Sequence, residues 1–240
     1  MVLVDLDTSK LVGLAPSRKH CDIVEAIKDW GQAVLEQIAE VSMDLSGNYR
    51  GLVKKQMPNA QIVADRFHVM QQVNQELNQV RNRELRANQT KPQSDLQASI
   101  TKLLKTSKYA LLKPEENLTD KQQQTLEQVK QVSPLLAQMH EQKEALRQLF
   151  GTATDWDIGM EQLAEWIVSA ETTFQDSTQT LTNWFDEIAN YFRHRTSNGI
   201  VEGINNKLKL IKRLGYGFRN FANFEQRCLI CWHLDFGLHS

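Results

Sequence analysis

An α/β fold carrying a long all-helical segment is what this 240-residue sequence predicts. Three observations carry that prediction. Short β-type runs crowd into the first 64 residues, strand signals disappear from 67 to about 195, and a helix with one apolar and one charged stripe lies within 196–217. The chain is long enough to bury a sizeable core, as one large domain or as a domain with an insertion.

Taken in order, Val2, Val4 and Leu6 alternate with Leu3 and Asp5. Asp7-Thr8-Ser9-Lys10 and then Leu11-Val12-Gly13-Leu14 follow, a pattern that predicts a β-hairpin closed by a polar turn. Residues 17–37 predict a helix, with Ser17 as its cap. Ile23, Ile27, Trp30, Val34 and Ile38 keep helical spacing there, apart from a break at Gly31. A short strand over 38–43 ends at Asp44, just ahead of the loop Leu45-Ser46-Gly47-Asn48-Tyr49. Ligands of open α/β sheets bind at the carboxyl ends of strands, which makes Asp44 a candidate site residue; it reads alternatively as a cap for a helix over 47–57. A buried-type strand at 60–64 then leads into Asp65-Arg66-Phe67-His68. Asp65 reads either as the cap of the next helix or as an acid of the site. His68, near the start of that helix, is placed to touch a phosphate or tune the site.

The helical stretch shows apolar spacing at Val69, Val73, Leu77, Val80 and Leu85. Further helices are expected over 96–104, 119–139, 141–150, 160–172 and 174–193. Pro92, Pro114, Pro134, Gly151 and Gly159 mark the expected joints. Trp184, Phe185, Ile188, Tyr191 and Phe192 form an apolar end to the stretch, followed at once by Arg193-His194-Arg195.

In the helix of 196–217, Ser197 or Asn198 is placed to cap the first turn. Val201, Ile204, Leu208 and Ile211 form the apolar stripe. Glu202, Asn205 or Asn206, Lys209 and Arg213 fall on the neighbouring stripe. A carboxylate flanked by amides and cations suits a metal ion beside a polyanion, although the same spacing also describes a solvated charged face. Beyond it, Gly215-Tyr216-Gly217-Phe218-Arg219-Asn220-Phe221 interleaves aromatics with arginine, for base stacking or for packing under a loop. Cys228 and Cys231 have C-x-x-C spacing, but zinc needs four ligands and no second pair exists, so they read as buried thiols on a terminal helix.

The formal net charge of −1 conceals an uneven distribution. Residues 193–227 hold eight Lys or Arg against two acids, an excess of six positive charges that points to a phosphate-rich partner. Three cysteines are too few for a disulfide framework and fit a reducing cytoplasm. No apolar run approaches the roughly 20 residues of a membrane helix. The expectation is a cytoplasmic protein without membrane attachment.

The run SNGIVEGINNKLKLIKRLGYGFRNFANFEQR, with SMDLSGNY at 42–49 and IVADRFHV at 62–69, resembles the transposases of the ISL-three group of bacterial insertion sequences. Those are DDE enzymes on an RNase H-like fold. The resemblance is strong over 1–88 and 181–236 and loose in the helical middle. It implies an RNase H-like mixed sheet lacking its first strand, interrupted by an all-helical insertion. The core would fall at 1–66 and 196–240 and the insertion at 67–195. In the family a strand with an Ile-Asp-Glu motif and the first catalytic aspartate precedes the hairpin. That motif does not occur in these 240 residues, which reads as N-terminal truncation; Asp5 and Asp7 are the stand-ins to weigh against turn chemistry.

The resemblance further implies DNA cleavage and strand transfer by two-metal phosphoryl transfer, with Mg²⁺ or Mn²⁺ held by Asp44 and Glu202 and with Asp65 as a rival acid. Lys207, Lys209, Lys212, Arg213, Arg219, Arg193 and Arg195 would contact DNA, both transposon ends and target. His68, Asn198, Asn205 and Asn206 would support the site, while Gly199 and Gly203 would permit close backbone approach. Multimers are the family's usual working form. With one acid missing, the chain is expected to be inactive by itself. The alternatives are a non-catalytic DNA-binding remnant and a helical protein-interaction adaptor.

Overall fold

The computed structural model describes residues 1–90, 94–196 and 199–233, apart from the side chain of residue 202. It is mixed α/β and mostly helical. Two compact units are present: Met1–Ile62 together with the chain from Thr196, and Val63–Arg195.

The first unit opens on the hairpin, β1 (Val2–Asp5) antiparallel to β2 (Lys10–Leu14). Asp5 organises the turn: its carboxylate accepts from the N–H of Asp7 at 3.0 Å, the N–H of Thr8 at 3.3 Å and the hydroxyl of Thr8 at 2.6 Å. The register slips between Leu3 and Val4, and an irregularity of that kind lets Leu11 and Leu14, three positions apart, both become buried. The helix expected over 17–37 is broken into α1 (His20–Ile27), a 3₁₀ turn at Lys28–Trp30 and α2 (Gln32–Leu35). Gly31 sits at φ 77°, a conformation no helix interior accommodates. Nor does Ser17 cap α1; its hydroxyl accepts from the N–H of Lys19 at 3.1 Å and bonds Asp22, and Lys19 occupies the cap position.

Next come β3 (Glu40–Met43), α3 (Gly47–Gln56) and β4 (Gln61–Ala64). The N–H of Gln61 donates to the Ala39 carbonyl at 2.8 Å, which joins β3 and β4 at their leading ends, as in a parallel pair connected through a helix. Among the described residues the strands make two separate two-stranded sheets.

The second unit is built on α4 (Arg66–Gln89). After it come α5 (Asp95–Thr106), α6 (Lys108–Leu112), α7 (Asp120–Val132), α8 (Pro134–Thr152), α9 (Trp156–Ala170), α10 (Gln175–Asn183), α11 (Phe185–Ala189) and α12 (Tyr191–His194). Pro134 stands at the first position of α8, so the helix expected over 119–139 is two, and the one expected over 174–193 is three. Gly151 lies in the last turn of α8 and Gly159 inside α9, neither at a joint. Three buried charged side chains serve as remote helix caps. Glu76 accepts from the N–H groups of Asp176 and Ser177 at 3.1 and 2.7 Å, at the start of α10. Lys143 donates to the carbonyls of Leu111 and Lys113 at 2.9 and 3.0 Å, at the end of α6. Arg81 donates to the carbonyl of Leu104 at 2.7 Å, near the end of α5. Charges of these signs at these ends complement the helix dipoles.

The chain then returns to the first unit with α13 (Gly199–Leu214) and α14 (Phe221–His233). Ile204, Leu208 and Ile211 of α13 and Cys228 of α14 close over Leu11 and Leu14 of β2 as one buried cluster. His233 adds a 2.8 Å contact from Nε2 to the Leu11 carbonyl. No described helix is long and apolar enough to cross a membrane.

Candidate functional site

Asp44 follows the last residue of β3. Its backbone carbonyl accepts from the N–H of Ser46 at 2.7 Å, a tight turn into α3. The cap position of α3 belongs to Ser46, so Asp44 is not that helix's cap. Its Oδ1 is buried and has no hydrogen-bond partner among the described residues. A carboxylate oxygen removed from water and left unpaired is costly, and a cation is the partner that offsets that cost. Two positions back, on the same side of the chain by the two-residue strand period, Ser42 Oγ is likewise buried and unpartnered. Ser42 carried no signal in the sequence.

Asp65 follows β4 and is placed differently. It is the N-cap of α4: Oδ1 accepts from the N–H of Phe67 at 3.1 Å, and Oδ2 lies 3.0 Å from Nδ1 of His68. With both oxygens engaged and the residue buried, capping is its visible task, and His68 is the group it holds. Asp5 is likewise committed, to the hairpin turn; the Thr8 hydroxyl above all keeps its carboxyl below the usual range. Asp7 is exposed.

Glu202 lies on α13, but its side chain is outside the described residues, as is Asn198 altogether. The apolar stripe around it behaves as expected, with Ile204, Leu208 and Ile211 buried and Val201 half-buried. Asn205 is half-buried and Asn206 exposed. Among the described residues a β-carbon added at Gly203 would meet nothing within 4 Å, so none of their backbone comes close enough to demand a glycine there.

The cations divide into two kinds. Lys209, Lys212 and Arg213 are exposed and, with Tyr216 and Gly217, line an open pocket of about 550 Å³. Arg219 is also exposed. Lys207 is tied to α14 instead, 3.3 Å from the Cys231 carbonyl and 4.1 Å from the centre of the Trp232 ring. In the second unit, the Arg193 guanidinium lies 4.4 Å from the centre of the Trp156 ring, and Arg195 donates to the Gly151 carbonyl at 3.4 Å. Of the two C-x-x-C thiols only Cys228 is buried, its pKa pushed up to about 11 chiefly by burial; Cys231 is exposed, a correction to the expected pair of buried thiols. Among the described residues no three His, Cys, Asp or Glu side chains cluster as metal ligands.

Comparison with known proteins adds the following. A family model described as "Transposase", that of the ISL3 group of DDE proteins, matches residues 1–228. The transposase for insertion sequence element IS1001 of Bordetella parapertussis is 27% identical over 229 residues, covering 93% of this chain and 54% of its own length. The transposase for insertion sequence element IS1557 of Mycobacterium tuberculosis is 26% identical over 238 residues, covering 91% and 53%. The chain thus spans about half the length of the curated relatives it matches. An ATP-dependent protease of Lactococcus lactis is 39% identical over 57 residues, 24% of this chain and 18% of that protein. No solved structure matches.

Proposed function

The chain belongs to the ISL3 group of DDE transposases, and from that premise we propose that it is the part of a DNA strand-transfer enzyme in which Asp44 and Glu202 are the acids that hold Mg²⁺ or Mn²⁺. The observation that carries this reading is Asp44 Oδ1, buried at the carboxyl end of a strand and unpaired among the described residues. Hard oxygen ligands of this kind suit Mg²⁺ and Mn²⁺. When bound, such ions supply Lewis-acid activation of water or a DNA 3′-hydroxyl and stabilise the leaving oxygen. The side chains of this chain do the rest. Asp44 and Glu202 supply negative charge, and Lys209, Lys212 and Arg213 neutralise backbone phosphates. Asp65 fixes the Nδ1 side of the His68 ring, which makes His68 a positioning or phosphate-contacting group. The RNase H-like arrangement of these parts, the split into core and insertion, and a multimeric working form belong to the same proposal.

Two of the family's three acids are within these 240 residues, so this polypeptide alone is expected to bind DNA but join little or none of it. Two measurements test the reading. Substituting Fe²⁺ for Mg²⁺ with ascorbate and peroxide should cut the backbone near both 44 and 202; cutting near only one would separate the two acids and end the shared metal site. A strand-transfer assay with Mg²⁺ or Mn²⁺ and a transposon-end duplex should give little product. Robust product abolished by Asp5→Ala or Asp7→Ala would mean a substituted ligand.

A further inference from the structure

The helix α13 ends in an unusual way. The N–H of Gly217 donates to the Lys212 carbonyl and the N–H of Tyr216 to the Arg213 carbonyl, both at 3.0 Å, which is the paired bonding of a Schellman C-terminus. The left-handed position of that motif ordinarily belongs to glycine. Here Tyr216 occupies it at φ 51°, with Gly217 at φ 88° after it. Gly215 before it is pressed onto the Phe218 ring, where a β-carbon would fall 2.6 Å from that ring. A tyrosine is therefore held in a conformation that side chains disfavour, between two glycines, by a turn that cannot easily swing it aside. Such an outlier, once observed, asks for a function.

The result of this conformation is a fully exposed ring, at 101% of the reference exposure. Its neighbours in the same aromatic run do the opposite: Phe218, Phe221 and Phe224 pack against the buried cluster under α13 and α14. Only Tyr216 is left without a structural role, and it stands in the pocket lined by Lys209, Lys212 and Arg213. That pocket is a wide-open depression, not an enclosed cavity, so a strand can lie across it. A flat apolar face beside three cations matches the two surfaces of a nucleotide, its base and its phosphate.

We propose that Tyr216 is a base-stacking residue, receiving an unpaired base of a DNA strand whose phosphates lie on Lys209, Lys212 and Arg213. The inference rests on the DNA-binding part of the function proposed above and extends it to a specific form of DNA. Bases in a closed duplex have their faces covered by neighbours, so the ring selects frayed ends, flipped bases or single strands.

The test uses the full chain, a short single strand carrying a fluorescent purine analogue, and the fully paired duplex of the same length. Tyr216→Ala and Tyr216→Gly should each weaken single-strand binding about five-fold or more and relieve quenching of the analogue, while duplex binding changes by less than about two-fold. Tyr216→Trp should retain both. Tyr216→Gly should melt no lower than the unmodified protein, because it removes a disfavoured backbone conformation, and this separates loss of stacking from loss of fold. Unchanged single-strand affinity and quenching in Tyr216→Ala overturns the proposal. If the joint replacement of Lys209, Lys212 and Arg213 by alanine still weakens binding in that case, DNA recognition stands and stacking alone fails. If neither strand nor duplex is bound at all, both fall.

Discussion

Both ring nitrogens of His140 are buried without a hydrogen-bond partner among the described residues. Burial, reinforced by the Lys143 ammonium, pulls its pKa from the ordinary 6.5 down to about 4, with Lys130 adding to the effect and Glu144 opposing it. The folded protein therefore holds this imidazole neutral, while the unfolded chain protonates it near 6.5. Its contribution to stability is complete above 6.5 and is lost as pH falls from there toward 4, by up to ~3 kcal/mol. His140→Leu should flatten the pH dependence of urea unfolding in that window and leave stability at pH 7.5 equal or higher, since no hydrogen bond is sacrificed. Gly159 makes a second single-residue claim. A β-carbon there would fall 2.3 Å from Cγ of the buried Phe192 ring, so Gly159→Ala should cost about 1–3 kcal/mol by denaturant titration. At this scale the position of Asp44 just past a strand was legible, because an apolar run followed by a glycine-bearing loop marks a strand end. The sequence held no sign of Ser42, and it offered Tyr216 only as one of several aromatics that could stack on bases or pack under a loop, without singling it out. A lone serine in a strand has no pattern to betray it, and the left-handed conformation of a tyrosine is visible only in backbone angles.

Among the helices, the apolar stripe of α13 was legible residue by residue, because a helix that docks with one face must repeat its contacts every three or four positions. Breaks were less visible. Over 174–193 the apolar spacing runs on through Trp184 and Asn190, where α10 gives way to α11 and α11 to α12, since all three pieces bury residues and periodicity hardly changes phase at their joints. The remote caps escaped sequence reading altogether. Glu76 and the N–H groups it serves are 100 and 101 positions apart. α10 has no cap of its own, as Phe174 at its N-cap accepts nothing through its side chain. Glu76→Ala strands two N–H groups and should cost about 2–4 kcal/mol, detectable as faster amide exchange at Asp176 and Ser177 before global unfolding. Lys143→Met should be comparably damaging, about 2–4 kcal/mol, because the Leu111 and Lys113 carbonyls lose their donor and the buried Glu144 carboxylate keeps only Arg147 of its two cationic partners.

For the molecule as a whole, a net charge of −1 predicts no general attraction to polyanions, so any DNA affinity must come from local patches. Replacing Lys209, Lys212 and Arg213 with alanine should reduce the slope of log affinity against log salt by about 0.9 for each phosphate contact to duplex DNA that is lost. A slope indifferent to that change would remove the patch from the interface. The buried cluster that joins β2 to α13 and α14 has another outcome, in the order of events on the ribosome. Leu14 and Ile204 are 190 positions apart. At roughly 5–20 residues per second, the hairpin leaves the exit tunnel roughly 10–40 s before the leucine and isoleucine side chains that shelter it emerge in their turn. Through that interval Leu11 and Leu14 are bare, and a nascent chain in that condition is a natural client for a chaperone that grips short greasy strands.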